Sequence, residues 1–358
     1  MGRHTRARID LSALRHNFAL AERQAGTAEA MAVVKADGYG HGLEPVARAL
    51  ADQAGRFAVA CLEEAERLRE AGIRQPIVLL QGFHDDADVA TCADLGLEPV
   101  IHSDHQLAAL ENAAATLTVW LKVNTGMNRL GFAPEQVEAR VQRLRAVGGV
   151  TLKGMVTHYA CADDREDPMT DRQNDMFSAL SARYPELEFS AANSAGHFRV
   201  DSPRFHWTRP GIMLYGATPM IVESAAELGL RAVMSLESRL TATRVLQPGE
   251  CVGYGATWRA ARPTPMGIVS IGYGDGYPRH APTGTPVWVA GTRTATLGRV
   301  SMDMLAVDLT AAPHARPGDR VELWGANVPV DEVARCAGTI GYELLTGVTA
   351  RVPRVYTE

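Results

Sequence analysis

Cysteine is scarce and poorly placed for bridging. The 358-residue chain carries five, Cys61, Cys92, Cys161, Cys251 and Cys336, widely spaced and with no Cys-x-x-Cys pair. That pattern argues against a disulfide framework, a structural zinc site and a redox dithiol, and it suits a reduced, cytoplasmic enzyme. Long apolar runs are missing too. The uncharged stretch 210–222 is broken by Pro and Gly and is too short to cross a bilayer. The start of the chain is polar and basic, without an apolar segment of signal-peptide length. Neither charge dominates: 36 Lys and Arg stand against 41 Asp and Glu. A net charge of −5 gives no electrostatic reason to expect nucleic acid or a membrane surface as partner.

What is present is an ordinary globular composition, 46% hydrophobic and 22% charged. The length fits two domains, or one large α/β domain with an appendage. Strand-like runs of β-branched or apolar residues occur at 31–34, 57–61, 77–80, 98–101, 117–123, 151–157, 187–190 and, weakest, 206–208. Helical patterns separate most of them. Asp10 is placed to cap a helix bearing Leu11, Leu14 and Phe18 on one stripe. In the helical run 62–71, Glu63 and Arg67 have the spacing of a surface pair. Eight βα units in this length predict an α/β fold with an N-terminal (β/α)8 TIM-type barrel; a doubly wound sheet is the competing reading.

Beyond about residue 230 the composition changes, and 249–298 hold ten of the 33 glycines. Short β runs at 267–271, 286–290, 293–297, 304–309 and 320–324 predict a C-terminal β-rich domain, with a small helix capped by Asp331. The expected domains are 1–230 and 231–358, with the extreme N-terminus left open to pairing with the β domain.

In barrels, reactive groups sit where strands end and loops begin. Those positions hold Lys35, Lys122 with Arg129, His158, Asn193-Ser194 and Arg209-Pro-Gly-Ile212. Singly, each reads as a surface or structural residue. Together they offer an amine, several cations and, after the last two strands, hydroxyl and backbone donors where barrels bind phosphate. Tyr39 and Ser194 add hydroxyls, and Gly211 admits close backbone approach, although Pro210-Gly211 also reads as a plain turn.

The segment Ala32-Val-Val-Lys35-Ala-Asp-Gly-Tyr39-Gly-His-Gly42 resembles the cofactor-lysine signature of alanine racemases, which use pyridoxal 5′-phosphate (PLP). Segments 122–131, 157–158, 192–194, 209–216, 252–255, 272–279, 298–303 and 341–343 resemble the family in the same order, so the likeness covers nearly the whole chain. It implies interconversion of L- and D-alanine, supplying D-alanine for peptidoglycan, by proton transfer between two bases at Cα. The bases are Lys35, which carries the PLP, and Tyr254. The resemblance further implies that Tyr39, His158, Ser194, Arg209, Gly211, Ile212 and Tyr342 bind the cofactor, Arg209 facing the ring nitrogen. Arg129, Met302 and Tyr273 contact substrate. Tyr273, Arg279, Arg299, Asp303 and Asp163 line an entrance corridor. Lys122 matches a lysine that is often carbamylated and then orients Arg129. No metal is implied. Each active site is shared across a homodimer.

Departures from the family pattern are Asn124 for Asp, Asn128 for Gly and Ser301 for Cys. Asn124 removes a negative charge near Arg129, while Asn128 tolerates unusual backbone angles. Rival readings are a serine or diamino-acid racemase, a decarboxylase of the same fold, a non-catalytic PLP-binding protein and a metal-dependent barrel hydrolase. The hydrolase is disfavoured because none of the eleven histidines forms a His-x-His pair.

Overall fold

The computed structural model describes residues 4–199 and 202–358. Residues 1–3 and 200–201, which belong to the expected first domain, lie outside the described residues. The chain divides into two units. One is Arg15–Leu214 with Pro219–Gly229, and the other comprises the residues up to Leu14, Tyr215–Thr218 and Leu230–Glu358.

The first unit is a parallel barrel. Its strands run in the order Glu29–Ala30, Trp207–Thr208, Glu188–Ser190, Val150–Val156, Leu117–Lys122, Leu97–Ile101, Ile77–Leu79, Phe57–Val59 and Ala32–Val33. The two ends of that order are separated in the chain by Met31 alone, so 29–33 act as one strand. The N–H groups of Glu29, Met31 and Val33 donate toward residues 206–210, and those of Ala32 and Val34 toward 56–58. Alternating donors therefore bond opposite neighbours, and the sheet closes on itself as an eight-stranded barrel. The strands are almost entirely buried, as expected where helices cover one face and packed side chains fill the other. Leu43–Leu50 shows the helical counterpart, burying Leu43, Val46, Ala47 and Leu50 on one stripe.

An ionic network fills the barrel near the strand starts. Arg56 donates from Nη2 to Glu98 Oε1 (3.0 Å), and Trp120 Nε1 donates to Glu98 Oε2 (2.8 Å). The Arg56 guanidinium lies 4.3 Å from the Trp207 ring centroid and 5.8 Å from that of Trp120. Trp207 in turn donates to Glu188, which also meets Lys153 at 3.0 Å. A charge this deep persists because Nη2 bonds Glu98, Nη1 lies 3.9 Å from the Glu188 carboxylate and aromatic faces cover the guanidinium, although Nε and Nη1 make no hydrogen bond.

In the second unit, Thr264–Val269, Leu305–Asp308, Thr292–Leu297, Pro286–Val289, Arg320–Trp324 and Met234–Leu246 form an antiparallel ring, the last strand pairing back to the first. A bulge between Leu240 and Ala242 lets Met234–Leu246 serve Arg320–Trp324 with one half and Thr264–Val269 with the other. Arg6–Asp10 pairs antiparallel with Met234–Leu246, and Arg354–Thr357 pairs parallel with Arg6–Asp10.

The structure agrees with the expected barrel followed by a β-rich region. Asp10 caps the helix Leu11–Ala25 by accepting from the Ala13 N–H at 3.0 Å. Three local readings need correction. Met234–Leu246 is the longest strand of the β unit and is missing from the expected β runs; its buried Glu237, paired with Arg6, Arg8 and Arg320, masks the apolar alternation. Asp331 is no cap: it lies inside the helix Val330–Cys336 and accepts from the Thr218 N–H. Arg67 does not pair with Glu63 but with Asp37 and Glu44. Among the described residues, no helix is long and apolar enough to cross a membrane.

Candidate active site

The C-terminal ends of the barrel strands gather the expected basic residues. Lys35 follows Ala32–Val33, Lys122 ends Leu117–Lys122, His158 lies just past Val150–Val156, and Arg209 directly follows Trp207–Thr208. Arg209 is buried at 5% exposure. It donates from Nη1 to Ser190 Oγ (2.5 Å) and from Nη2 to the carbonyls of Thr157 (2.5 Å) and Ala191 (3.1 Å). Nη2 also stands 3.3 Å from His158 Nδ1, which must act as acceptor because a guanidinium has none to offer. No carboxylate pairs with Arg209 among the described residues. Burial pulls its pKa down to about 10, so it stays a cation at neutral pH.

Crowded cations shift their neighbours further. Burial and then Arg209, Arg129 and Lys35 hold the Lys122 amine well below the lysine range. His158 is held well below the usual imidazole range by burial, Lys122 and Arg209. The Lys35 amine is lowered by burial and Arg129, with Glu64 opposing. Both shifts run in the direction that nucleophilic or proton-transferring amines require. Beneath His158, Gln173 donates to its carbonyl (2.9 Å) and to Thr125 Oγ1 (3.1 Å), fixing the loop.

Ser194 Oγ accepts the N–H groups of Gly211 (2.8 Å) and Met213 (3.4 Å), so the Gly211 N–H is engaged within the turn rather than standing open. Ile212 begins the short helix Ile212–Tyr215. Glycine is required at 211, because a Cβ there would stand 2.4 Å from the Tyr39 hydroxyl. The result is a narrow cradle of hydroxyl and backbone beside a basic cluster. This donor set fits a phosphorylated cofactor and a carboxylate-bearing substrate, since Lys35, Lys122, Arg129 and Arg209 stand together with Glu64 opposing them at Lys35.

Asn124 Oδ1 accepts from the N–H groups of Gly126 (3.1 Å) and Asn128 (3.0 Å), and its amide donates to Asn128 Oδ1. Asn128 has φ +57°, so the loop takes the left-handed conformation that asparagine tolerates. Asp163, on the barrel unit, accepts the Ile221 N–H through its carbonyl.

The remaining expected residues lie on the β unit. Tyr254 opens the tight turn Tyr254–Ala256 and is 68% exposed. Tyr273 opens Tyr273–Asp275, and its N–H and that of Gly274 donate to the carbonyls of Ser301 and Met302. A Cβ at Gly272 would lie 2.1 Å from the Ser301 oxygen, so glycine lets the two loops interlock. Met302 is exposed, as are Arg279 and Arg299, while Asp303 accepts from Arg351 at 2.7 Å. Tyr342 sits in the helix Gly341–Thr346. Sequence reasoning missed Ser190, which a search for acceptors around a buried Arg209 finds, and Glu64, discussed below. Among the described residues no group of three His, Cys, Asp or Glu is placed to hold a metal.

Comparison with known proteins agrees with this geometry. The model of the alanine racemase N-terminal domain matches residues 9–219, and that of the C-terminal domain matches residues 233–356. An alanine racemase of Marinobacter nauticus is 59% identical over 99% of this chain and 100% of its own. The crystal structure of the biosynthetic alanine racemase of Pseudomonas aeruginosa superposes with a TM-score of 0.95 at 50% identity, covering both chains fully. That of Bartonella henselae, which carries covalently bound pyridoxal phosphate, gives 0.89 at 29% identity over 99% of this chain and 100% of that one. The chain belongs to the alanine racemase family, and its reaction is the interconversion of L- and D-alanine.

Proposed function

We propose that Lys35 carries PLP and serves as base on one face of alanine, with Tyr254 as base on the other, in a cytoplasmic enzyme that supplies D-alanine for peptidoglycan. The observation that carries this reading is the amine of Lys35, held below its ordinary range beside a cluster of cations on the same barrel face as the Ser194–Gly211 turn. When bound, PLP supplies an electron sink for the charge that develops at the substrate's Cα. The chain's own residues do the rest. Tyr39, Ser194, Gly211, Ile212 and Tyr342 hold the phosphate, and Arg209 and His158 hold the ring. Arg209 keeps its proton, so it denies one to the ring nitrogen and discourages protonation away from Cα. Arg129, Tyr273 and the Met302 N–H orient the substrate carboxylate, and Tyr273, Arg279, Arg299, Asp303 and Asp163 line the way in.

Lys122 is carbamylated in the working enzyme. Its unprotonated amine adds to CO2 and releases one proton, so a group that repels Arg129 when protonated is replaced by a carbamate anion that holds it. The exposure of Tyr254 supports a homodimer in which the β domain, residues 231–358, faces the barrel, residues 1–230, of the partner.

Exchange of the α-deuteron of each alanine enantiomer with solvent tests the reading. Lys35→Ala should lose the visible band of the cofactor and all exchange. Tyr254→Phe should keep the band and lose exchange of one enantiomer by at least about 10²-fold. Mixing the two inactive variants should restore activity, because a mixed dimer holds one intact pair. Full racemisation by Tyr254→Phe overturns the two-base assignment, and failure of the mixture to recover overturns the shared site.

A further inference from the structure

The backbone after Lys35 winds the wrong way. Ala36, Asp37, Gly38 and Tyr39 have φ of 54°, 54°, 61° and 51°, a left-handed turn in which three of four residues carry a Cβ. Residues with side chains resist that conformation, so it persists only where surroundings over-determine it. The turn's own hydrogen bonds, Gly40 N–H to Ala36 and Gly42 N–H to Asp37, are those any closed turn makes. The buried His41 ring, its Nδ1 3.1 and 2.9 Å from the Gly38 and Tyr39 carbonyls, holds the far half of the turn, and a further constraint comes from the helix Leu62–Glu70, on which Glu64 and Arg67 share a face. Glu64 Oε1 accepts the Ala36 N–H at 2.5 Å, and its Oε2 accepts the Ala60 N–H at 2.9 Å, tying the Lys35 turn to the end of the next barrel strand. Arg67 donates to Asp37 Oδ1 (2.8 Å) and grips Glu44 with two bonds (2.7 and 3.0 Å), while Asp37 Oδ1 also accepts the Leu43 N–H. The first half of the reversed turn and the helix that follows it are thus held by one helix face.

We propose that Glu64 and Arg67 are positioning residues: they clamp the left-handed turn that aims Lys35 and Tyr39, two parts of the cofactor site, in one direction. The inference rests on the assignment of Lys35 as the PLP-bearing lysine. A carboxylate suits this task because both oxygens accept backbone N–H groups, and charged acceptors hold them more firmly than an amide would. Glu64 is also the one carboxylate that acts on Lys35 from outside its own segment, opposing the loss of its charge. Relaxation of the turn toward an ordinary conformation would swing the lysine amine and the tyrosine hydroxyl apart, because their side chains issue from its two ends.

The test uses the holoenzyme of Glu64→Gln, which keeps the size and removes the charge and one acceptor oxygen. Release of PLP, followed by loss of the visible band after dilution, should quicken by about tenfold or more, the size expected for a lost hydrogen bond to a charged acceptor. Adding Ala36→Gly, which accepts the left-handed angles without help, should return most of that loss. A purely architectural Glu64 would lower the unfolding temperature, leave release unchanged and gain nothing from Ala36→Gly; that result overturns the proposal. If Glu64→Gln does not fold, Arg67→Met, whose side chain is partly exposed, carries the same measurement with the same two outcomes. Lys35→Ala separates the two levels: a surviving band there refutes the lysine assignment, whereas a lost band with unchanged release in Glu64→Gln refutes only the clamp.

Discussion

The ionic network near the barrel's strand starts sets the first expectation. Arg56 and Glu98 have side chains 6% and 10% exposed and meet at 3.0 Å. In Arg56→Met, Glu98 keeps its bond from Trp120 but becomes a buried carboxylate without its cation. Breaking a buried pair in this one-sided way costs about 3–5 kcal/mol. For a domain of this size that corresponds to a fall in Tm on the order of 10 °C. The double variant Arg56→Met with Glu98→Gln removes the second charge while leaving Trp120 an amide oxygen to bond. It should recover about 2 kcal/mol or more of the loss, since desolvation of the charges, not their attraction, dominates such pairs. Denaturant unfolding followed by tryptophan emission measures both, because Trp120 and Trp207 flank the guanidinium. Racemisation by the double variant should stay within about twofold of wild type, since the chemistry lies at the other ends of the strands. A cost below about 1 kcal/mol for Arg56→Met, the size of a surface pair, would refute the reasoning, as would a double variant weaker than the single.

Two further outcomes follow from the site. Lys122 is held below the ordinary lysine range, so between its folded and unfolded values the unfolded chain binds more protons and stability rises with pH. In CO2-free buffer without PLP, Lys122→Met should therefore raise the unfolding temperature at neutral pH and flatten its dependence on pH; an unchanged slope would show the amine to be unperturbed. Gly211→Ala would set a methyl 2.4 Å from the Tyr39 hydroxyl and drive the ring aside. Reconstitution monitored by the visible band should show PLP bound about tenfold more weakly. Tyr39→Phe in the same chain should relieve part of the clash, and a band that titrates as in wild type would place the phosphate elsewhere.

The barrel was legible because each strand is a short, buried, β-branched run bounded by helix, which is the pattern periodicity reads best. The gathering of Lys35, Lys122, His158 and Arg209 at strand ends was legible for a related reason: strand ends locate loops, and loops carry chemistry. The failures share a different cause, that a side chain's partner is not a property of its own segment. Glu63 and Arg67 have helix-pair spacing, yet Arg67 reaches out of its helix to Asp37 and Glu44. Asp331 has the composition of a cap but satisfies the Thr218 N–H, more than a hundred positions away in sequence. Met234–Leu246 hides its strand character because Glu237 is buried at 3% exposure among arginines from two other strands. The left-handed turn at 36–39 was invisible for the same reason, since its force comes from Glu64; only the neighbouring Gly38, Gly40 and Gly42 hinted at unusual angles.

The division of work between lysines and arginines in the barrel mouth follows from one electrostatic problem. Lys35, Lys122, Arg129 and Arg209 crowd together, and burial with the neighbouring cations weakens the hold of both lysines on a proton. On the proposed assignment that makes an amine easier to free for attack on a carbonyl, proton transfer or uptake of CO2. Arg129 is exposed to solvent. Arg209, buried, keeps its charge because carbonyl and hydroxyl oxygens surround the guanidinium and because even a value of about 10 leaves it protonated at neutral pH. A lysine at 209 would meet the same neighbours with an ammonium that starts lower and deprotonates more readily, and it would lack the planar fork that reaches Ser190, Thr157 and His158 together. On the proposed assignment it would place a second amine with a weaker hold on its proton near the cofactor ring, where the reaction needs a donor that never lets go. The proposed site works by being mixed: groups that can lose a proton stand where bonds would change, and the group that cannot stands where protonation would have to be withheld.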